Sequence, residues 1–387
     1  MQVFTARRLV TPADVVDNAW MAVEEGRIVE VGSHDDRQAP AGRAHTDFGQ
    51  GMIVPGYIDL HIHGSAGCDV MDEKAEALPA IERMLVRHGV TSYLPTTVTA
   101  PLERILRALE RLADAVEKHG GDICQGRAAP LGIHLEGPFI SHARRGVHPE
   151  ADLLPPKTKT FERFWQAARG HIRMMTIAPE LDGSTELIHL AAARGVCLSL
   201  GHSDAPLADT ERAIAAGASH ATHIFNAMRP LEHRDPGILG GVLTDSRVSA
   251  DLIADGVHVD PTIVKLAAKA KGADLTVLIT DATAAAGMPD GRYRLGSIAV
   301  DVHDGKCTYE GKLAGSTLTM DRAVRNLSSF AGWTLEQAVA AATRNPARTV
   351  RLSGKGALSP GTAADFAVIS EGGQVLQTFA GGVECRF

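Results

Sequence analysis

The sequence predicts an α/β protein: a (β/α)8 TIM-like barrel carrying a small β-sandwich domain built from both termini. Three observations lead there. Strand-like and helix-like segments alternate through the middle of the chain, both ends are β-rich, and histidines and acids recur where the central strands end. The expected division is 1–54 plus 346–387 for the small domain and 55–345 for the barrel.

The elements follow in order. Trp20 to Val31 has the pattern of a hairpin turning at Glu25 and Gly26. Residues Met52 to Leu60 form an apolar, β-branched stretch that ends at His61-Ile62-His63-Gly64. Further strands are expected to end near Thr97, Glu136, Ala178, Gly201, Ile224, Ala254 and Thr280. The segments between them have helical patterning. From Leu102 to Val116 the apolar positions 102, 105, 106, 109, 112, 113 and 116 lie on one stripe. Asp260 followed by Pro261 reads as an N-cap with proline at the first helical position, and Thr334 to Gln337 as a capping box. Gly195, Gly217 and Gly272 sit where helix C-caps belong. The loop after Glu136, with Pro155-Pro156, is long enough to be a lid. Asp365 to Ser370, a Gly372-Gly373 turn and Gln374 to Phe379 return β structure to the terminal domain.

Composition bounds the function. Apolar residues make up 44% and charged residues 22% of a 387-residue chain, as in an ordinary globular protein. A net charge of −7 argues against nucleic-acid and anionic-membrane partners, which want clustered Lys and Arg. Five scattered cysteines (Cys68, Cys124, Cys197, Cys307, Cys385) without a CxxC fit reduced thiols. The first residues lack the apolar core of a signal peptide, and no run of about 18 apolar residues marks a membrane span. A cytoplasmic location is the expectation.

The chemistry begins with His61 and His63. Side chains two apart on a strand share a face, so both imidazoles project together as half of a divalent metal site suited to zinc or ferrous iron. A lone HxH is as often a pair of surface histidines. Here Glu136, His202, His223 and Asp281 fall at the ends of other strands, the end where barrel active sites sit. No lysine occurs between Lys159 and Lys265, so strands four to seven cannot supply a carbamylated bridge. Glu136 is the candidate bridge, and nuclearity stays open. Cys68, near the first metal pair, reads as a small buried hydrophobe. Arg144, Arg145 and Arg229 are not separable from ordinary surface charges.

The motifs PGYIDLHIHG (55–64), HLEGPF (134–139), GHSD (201–204), THIFNAM (222–228), DGVH (255–258), TDA (280–282) and LAGS (313–316) together resemble the N-acetylglucosamine-6-phosphate deacetylases of the amidohydrolase superfamily. The resemblance extends to GALSPGTAADF at 356–366 and so spans nearly the whole chain. It implies that Glu136, His202 and His223 hold one metal, that His61 and His63 hold a second, and that Asp281 is the catalytic carboxylate. It places Val147, His148, Asn226, Ala227, Arg234, His258, Leu313, Ala314, Gly315 and Ser316 on an amino-sugar phosphate. One or two divalent ions per subunit, Zn2+ or Fe2+, and a homodimer are also implied. The rivals are the same chemistry on the galactosamine epimer, a cyclic-amide hydrolase or nucleobase deaminase, and a catalytically dead scaffold. The last is disfavoured because every ligand position is intact.

Overall fold

The computed structural model describes residues 1–40, 44–119 and 126–386. Cys124 lies outside them. Eight parallel strands run Tyr57–Ile62, Val90–Thr97, Ile133–Glu136, Ile172–Ile177, Cys197–Leu200, His220–Ala221, Ser249–Leu252 and Thr276–Leu278. Each pairs with the next in sequence order. The ring closes where Ile62 pairs with Ala282, where Asp281 N–H donates to His61 O at 2.9 Å, and where His63 N–H donates to Ala282 O at 2.8 Å. The strands end within three residues of the positions expected from sequence. Their near-continuous apolar character follows from being covered on both sides, by helices outside and barrel side chains within. The helix Leu102–His119 buries Ile105, Leu109, Leu112, Ala113 and Val116, the expected stripe.

Caps behave as their chemistry requires. The Asp260 side chain accepts from Thr262 N–H with Pro261 at the first turn, and Thr334 and Gln337 form the reciprocal box. Gly195 and Gly217 end their helices. Gly272, at φ +71°, instead kinks the helix Pro261–Leu275, which continues for another turn.

The two termini build one sheet of eight strands, in which Met52–Pro55 lies between Gln2–Val10 and Phe366–Ile369. This sheet encloses its own core, where Phe4, Phe48, Phe366 and Phe379 contact one another, the last two stacked at 4.5 Å. The hairpin turns at Glu25 and Gly26, both at positive φ. The last barrel helix, Arg344–Thr349, crosses the boundary expected at 345/346.

One element has no counterpart in the sequence expectation. Between the eighth strand and the helix Met320–Ala331 stands a four-stranded antiparallel meander, Gly291–Leu295, Ile298–His303, Lys306–Tyr309 and Lys312–Leu313. Among the described residues no helix is long and apolar enough to cross a membrane. Cys197 and Cys307 are buried and Cys68 half-buried, and none of the three is in a disulfide.

The barrel seam rests on Asp59, a fully buried acid. Its carboxylate accepts from Thr280 Oγ1 at 2.6 Å and from the backbone N–H groups of Thr280 and His61, each at 3.3 Å. Burial raises its pKa to about 6 against those donors. Replacing Asp59 by Ala strands three buried donors, and each such loss costs on the order of 1 kcal/mol or more. Urea denaturation of Asp59→Ala is expected to show a loss of about 3 kcal/mol. A midpoint equal to wild type would show that the seam closes without it.

Candidate metal centre

The strand ends bring six predicted residues to one buried point. His61 and His63 share a strand, and their Nε2 atoms lie 3.1 Å apart. Glu136 Oε1 stands 3.4 Å from His61 Nε2, 3.2 Å from His202 Nε2 and 3.1 Å from His223 Nε2. Its other oxygen is 3.3 Å from His63 Nε2. Asp281 Oδ1 lies 3.2 Å from His63 Nε2 and 3.5 Å from His61 Nε2. All six residues are buried. Glu136 therefore stands between the HxH pair and the His202–His223 pair, with Asp281 beside the former.

The protons decide what this cluster can hold. His63 Nδ1 faces the Thr96 carbonyl at 3.0 Å, and His202 Nδ1 faces that of Arg144 at 3.0 Å. A carbonyl only accepts, so each Nδ1 carries the hydrogen and Nε2 is the atom each ring turns toward a carboxylate. Lone pair against carboxylate at such distances is repulsive unless positive charge lies between. Burial works against a charge on His63, yet Asp281 and Glu136 hold its pKa well above the usual imidazole range. Burial pushes His202 down to about 4 despite Glu136. Burial opposes the charge on His223 too, yet Glu136, Asp281 and Asp251 carry it up to about 9. Burial likewise works against Glu136 and Asp281 as anions, but the surrounding imidazoles hold Glu136 well below the usual carboxylate range and Asp281 at about 2. The cluster thus asks for cations, and imidazole nitrogen with carboxylate oxygen is a donor set that fits a divalent metal.

His148 approaches Glu136 Oε2 at 3.5 Å and has the position of a further ligand. Its Nδ1, however, takes a hydrogen bond from Thr99 N–H at 3.3 Å and lies 2.8 Å from Thr99 Oγ1. Nδ1 is the acceptor, so Nε2 keeps its proton and is a donor rather than a ligand. Gly137 makes the close approach possible. At φ +70°, a Cβ there would stand 2.3 Å from Thr99 Oγ1.

Three of the cluster's residues pay in backbone strain. His202, His223 and Asp281 have φ of +48°, +28° and +48°, a region that side chains rarely occupy and that clusters at functional sites. His223 also lacks a partner on Nδ1. Its position is fixed through its backbone, because its N–H donates to Asp251 Oδ1. Asp251 is held in turn by His220 Nε2 at 3.0 Å, and His220 Nδ1 meets Ser249 Oγ at 2.7 Å. Beneath the cluster, His134 Nδ1 donates to Leu60 O at 3.1 Å and its Nε2 accepts from Thr176 Oγ1 at 2.8 Å. Asp251 and His220 were not selected from sequence, since buried acids and histidines inside strands carry no motif of their own.

Above the cluster opens a cavity of about 230 Å³. Among the residues expected on the substrate, Val147, His148, Asn226, Ala227, His258, Leu313 and Gly315 line it. His258 donates from Nδ1 to Asp255 Oδ2 at 2.6 Å and leaves its buried Nε2 without a partner. Ala314 and Ser316 are buried behind the lining, with Ser316 N–H donating to Asp281 O at 2.7 Å. Arg234 is exposed and does not line the cavity. Arg144 pairs with Asp204 at 2.8 Å, Arg145 with Glu150 at 3.1 Å, and Arg229 with Asp235. Cys68 is likewise away from the lining.

Comparison with known proteins agrees with this geometry. The amidohydrolase family model matches residues 52–385. An N-acetylglucosamine-6-phosphate deacetylase of Lysinibacillus sphaericus is 37% identical over 94% of this chain and 92% of its own. An N-acetylgalactosamine-6-phosphate deacetylase of Escherichia coli O157:H7 is 37% identical over 100% of this chain and 99% of its own. Among solved structures, the N-acetyl-D-glucosamine-6-phosphate deacetylase of Mycobacterium smegmatis, in complex with N-acetyl-D-glucosamine-6-phosphate, superposes with a TM-score of 0.92 at 34% identity, covering 99% of this chain and 98% of that one. The chain belongs to the amidohydrolase family and, within it, to the N-acetylglucosamine-6-phosphate deacetylases.

Proposed function

We propose that the protein hydrolyses the acetamide of N-acetyl-D-glucosamine 6-phosphate to D-glucosamine 6-phosphate and acetate, a step of amino-sugar catabolism. The observation that carries this reading is the buried convergence of Glu136, His202, His223, His61, His63 and Asp281 beside a cavity whose lining also presents Asn226 and His258. Glu136, His202 and His223 are assigned to one divalent ion, and His61 and His63, sharing Glu136, to a second. Zinc or ferrous iron suits this donor set. Such an ion, when bound, lowers the pKa of water from 15.7 to roughly 7 and polarises a carbonyl.

The chain's own residues do the rest. Asp281 takes the proton of the attacking water and returns it to the nitrogen, which cannot leave as an amide anion. Its place is fixed on both sides, since its N–H donates to His61 O and its carbonyl accepts from Ser316. His148, with its proton on Nε2, donates toward the substrate and closes the cavity against water. His258, held through Nδ1 by Asp255, offers its buried, unpartnered Nε2 to a phosphate oxygen. Arg234, exposed on its own chain, is assigned to the phosphate of a neighbouring subunit in a homodimer. A cytoplasmic location belongs to the same reading, supported by the scattered cysteines without a CxxC. The galactosamine epimer is the second substrate to assay, because the Escherichia coli relative bears that name. Acetate release from both phosphorylated epimers and their unphosphorylated forms tests the assignment. Turnover of neither phosphorylated sugar would refute it.

Four variants separate these roles. His202→Ala is expected to lose the metal of its site by elemental analysis, while His61→Ala loses only a second ion. Wild-type stoichiometry in His202→Ala would overturn the ligand assignment. Asp251→Ala removes the anchor of His223 without touching a ligand atom, and is expected to weaken metal binding by about 10–100-fold in chelator competition. Unchanged affinity would mean that His223 holds its place unaided. Asp281→Asn is expected to keep the fold while losing up to about 10⁴ in turnover, the upper end for a group that serves as both base and acid. Acetate release and bound metal are read on one sample, and wild-type rate with full metal would assign the proton transfer elsewhere.

A further inference from the structure

Two apolar side chains in the lining stand across the barrel from the residues that follow the sixth and seventh strands. Asn226 and Ala227 follow the sixth barrel strand and His258 the seventh. Val98 follows the second strand, which stands four strands from the sixth in the closed ring of eight, and so faces it across the barrel. Leu295, from the meander, joins Val98 in the lining. Both are buried, at 7% and 4% exposure.

Leu295 is not on a loose flap. The next residue, Gly296, donates its N–H to Asp69 Oδ2 at 2.7 Å, and its carbonyl accepts from Arg104 at 3.0 Å. Asp69 is itself buried and accepts from Met71 N–H at 2.7 Å. Gly296 is at φ +55°, and a Cβ there would stand 2.4 Å from Val98 Cγ2. The turn therefore lies directly on Val98, pinned by an acid on one side and a guanidinium on the other.

A 2-acylamino-6-phospho sugar carries its acyl group and its phosphate at opposite ends of the pyranose ring. With the phosphate at the sixth and seventh strands and the amide carbon beside Asp281 and His63, the acyl chain leaves the carbonyl toward the second strand. We propose that Val98 and Leu295 form an acyl pocket that restricts the enzyme to acetyl-sized amides, its depth set by the Asp69–Gly296 latch. The inference rests on the amide hydrolysis set out above and adds the determinant of which amide is cleaved. An apolar pocket with a pinned wall discriminates one methylene by about 10–200-fold.

The test compares kcat/KM for the N-formyl, N-acetyl and N-propionyl derivatives of glucosamine 6-phosphate, read as release of the free amine. Wild type is expected to prefer acetyl over propionyl by about tenfold or more. Val98→Ala and Leu295→Ala are each expected to raise the propionyl-to-acetyl ratio by about tenfold, and Val98→Leu to lower it while raising the formyl-to-acetyl ratio. Ratios taken on one preparation are insensitive to the fraction of enzyme that is folded, and three variants at two positions guard against the loss of any one. Ratios within about twofold of wild type in every variant would overturn the acyl pocket and leave the deacetylase reading standing. A wild-type enzyme that releases no amine from the N-acetyl substrate would overturn that reading, and the acyl pocket with it.

Discussion

Imidazole nitrogens crowded onto one buried carboxylate are the condition around which this structure is arranged. Glu136 is buried, and four imidazole Nε2 atoms approach its oxygens between 3.1 and 3.4 Å. The carbonyls of Thr96 and Arg144 fix two of those rings with the hydrogen on the far nitrogen. An apolar interior would expel such an arrangement, since an uncompensated buried anion costs several kcal/mol. Positive charge at the centre turns the same geometry from a liability into an attraction. The left-handed φ values of His202, His223 and Asp281 show where the backbone has been bent to hold it.

Ligand orientation is delivered by two routes. His63 and His202 are gripped at the ring, by carbonyls from the second strand and the loop after the third. His223 is gripped at its amide, by Asp251 on the next strand, and the His220–Ser249 chain steadies that acid. The first route uses main-chain groups that any sequence provides. The second spends a buried charge, and a buried charge needs its own partners.

Much of this was legible in the sequence for physical reasons. Strands buried on both faces read as apolar runs, so their ends could be located within a few residues, and barrel geometry then grouped His61, Glu136, His202, His223 and Asp281. Capping at Asp260 and Thr334 was legible because a side-chain oxygen beside a helix start has one dominant use. The meander is faint in the sequence, although Asp304-Gly305 and Glu310-Gly311, all at positive φ, are hairpin dipeptides of the same kind as Glu25-Gly26. Its strands are short, Gly291–Leu295 is mostly exposed and only Ile298–His303 alternates exposed with buried residues, a weak signal beside the long apolar runs around them. Asp251, His220 and Val98 had no signal at all. What they do depends on neighbours distant in sequence, and only the folded barrel supplies those.

The meander has one more consequence. Its strands pair almost wholly with their immediate neighbours through short turns, so it is locally wired. It meets the barrel through the pinned turn at Gly296, through Leu313 in the cavity lining, and through Val300 and Cys307 in the barrel's core. A segment wired in this way can be lengthened or recoloured at its exposed turns while the strands that carry Glu136 and Asp281 keep their pairing. Selection can therefore work on what enters the enzyme separately from what the enzyme does to it, and a new substrate range could arise here by grafting one hairpin.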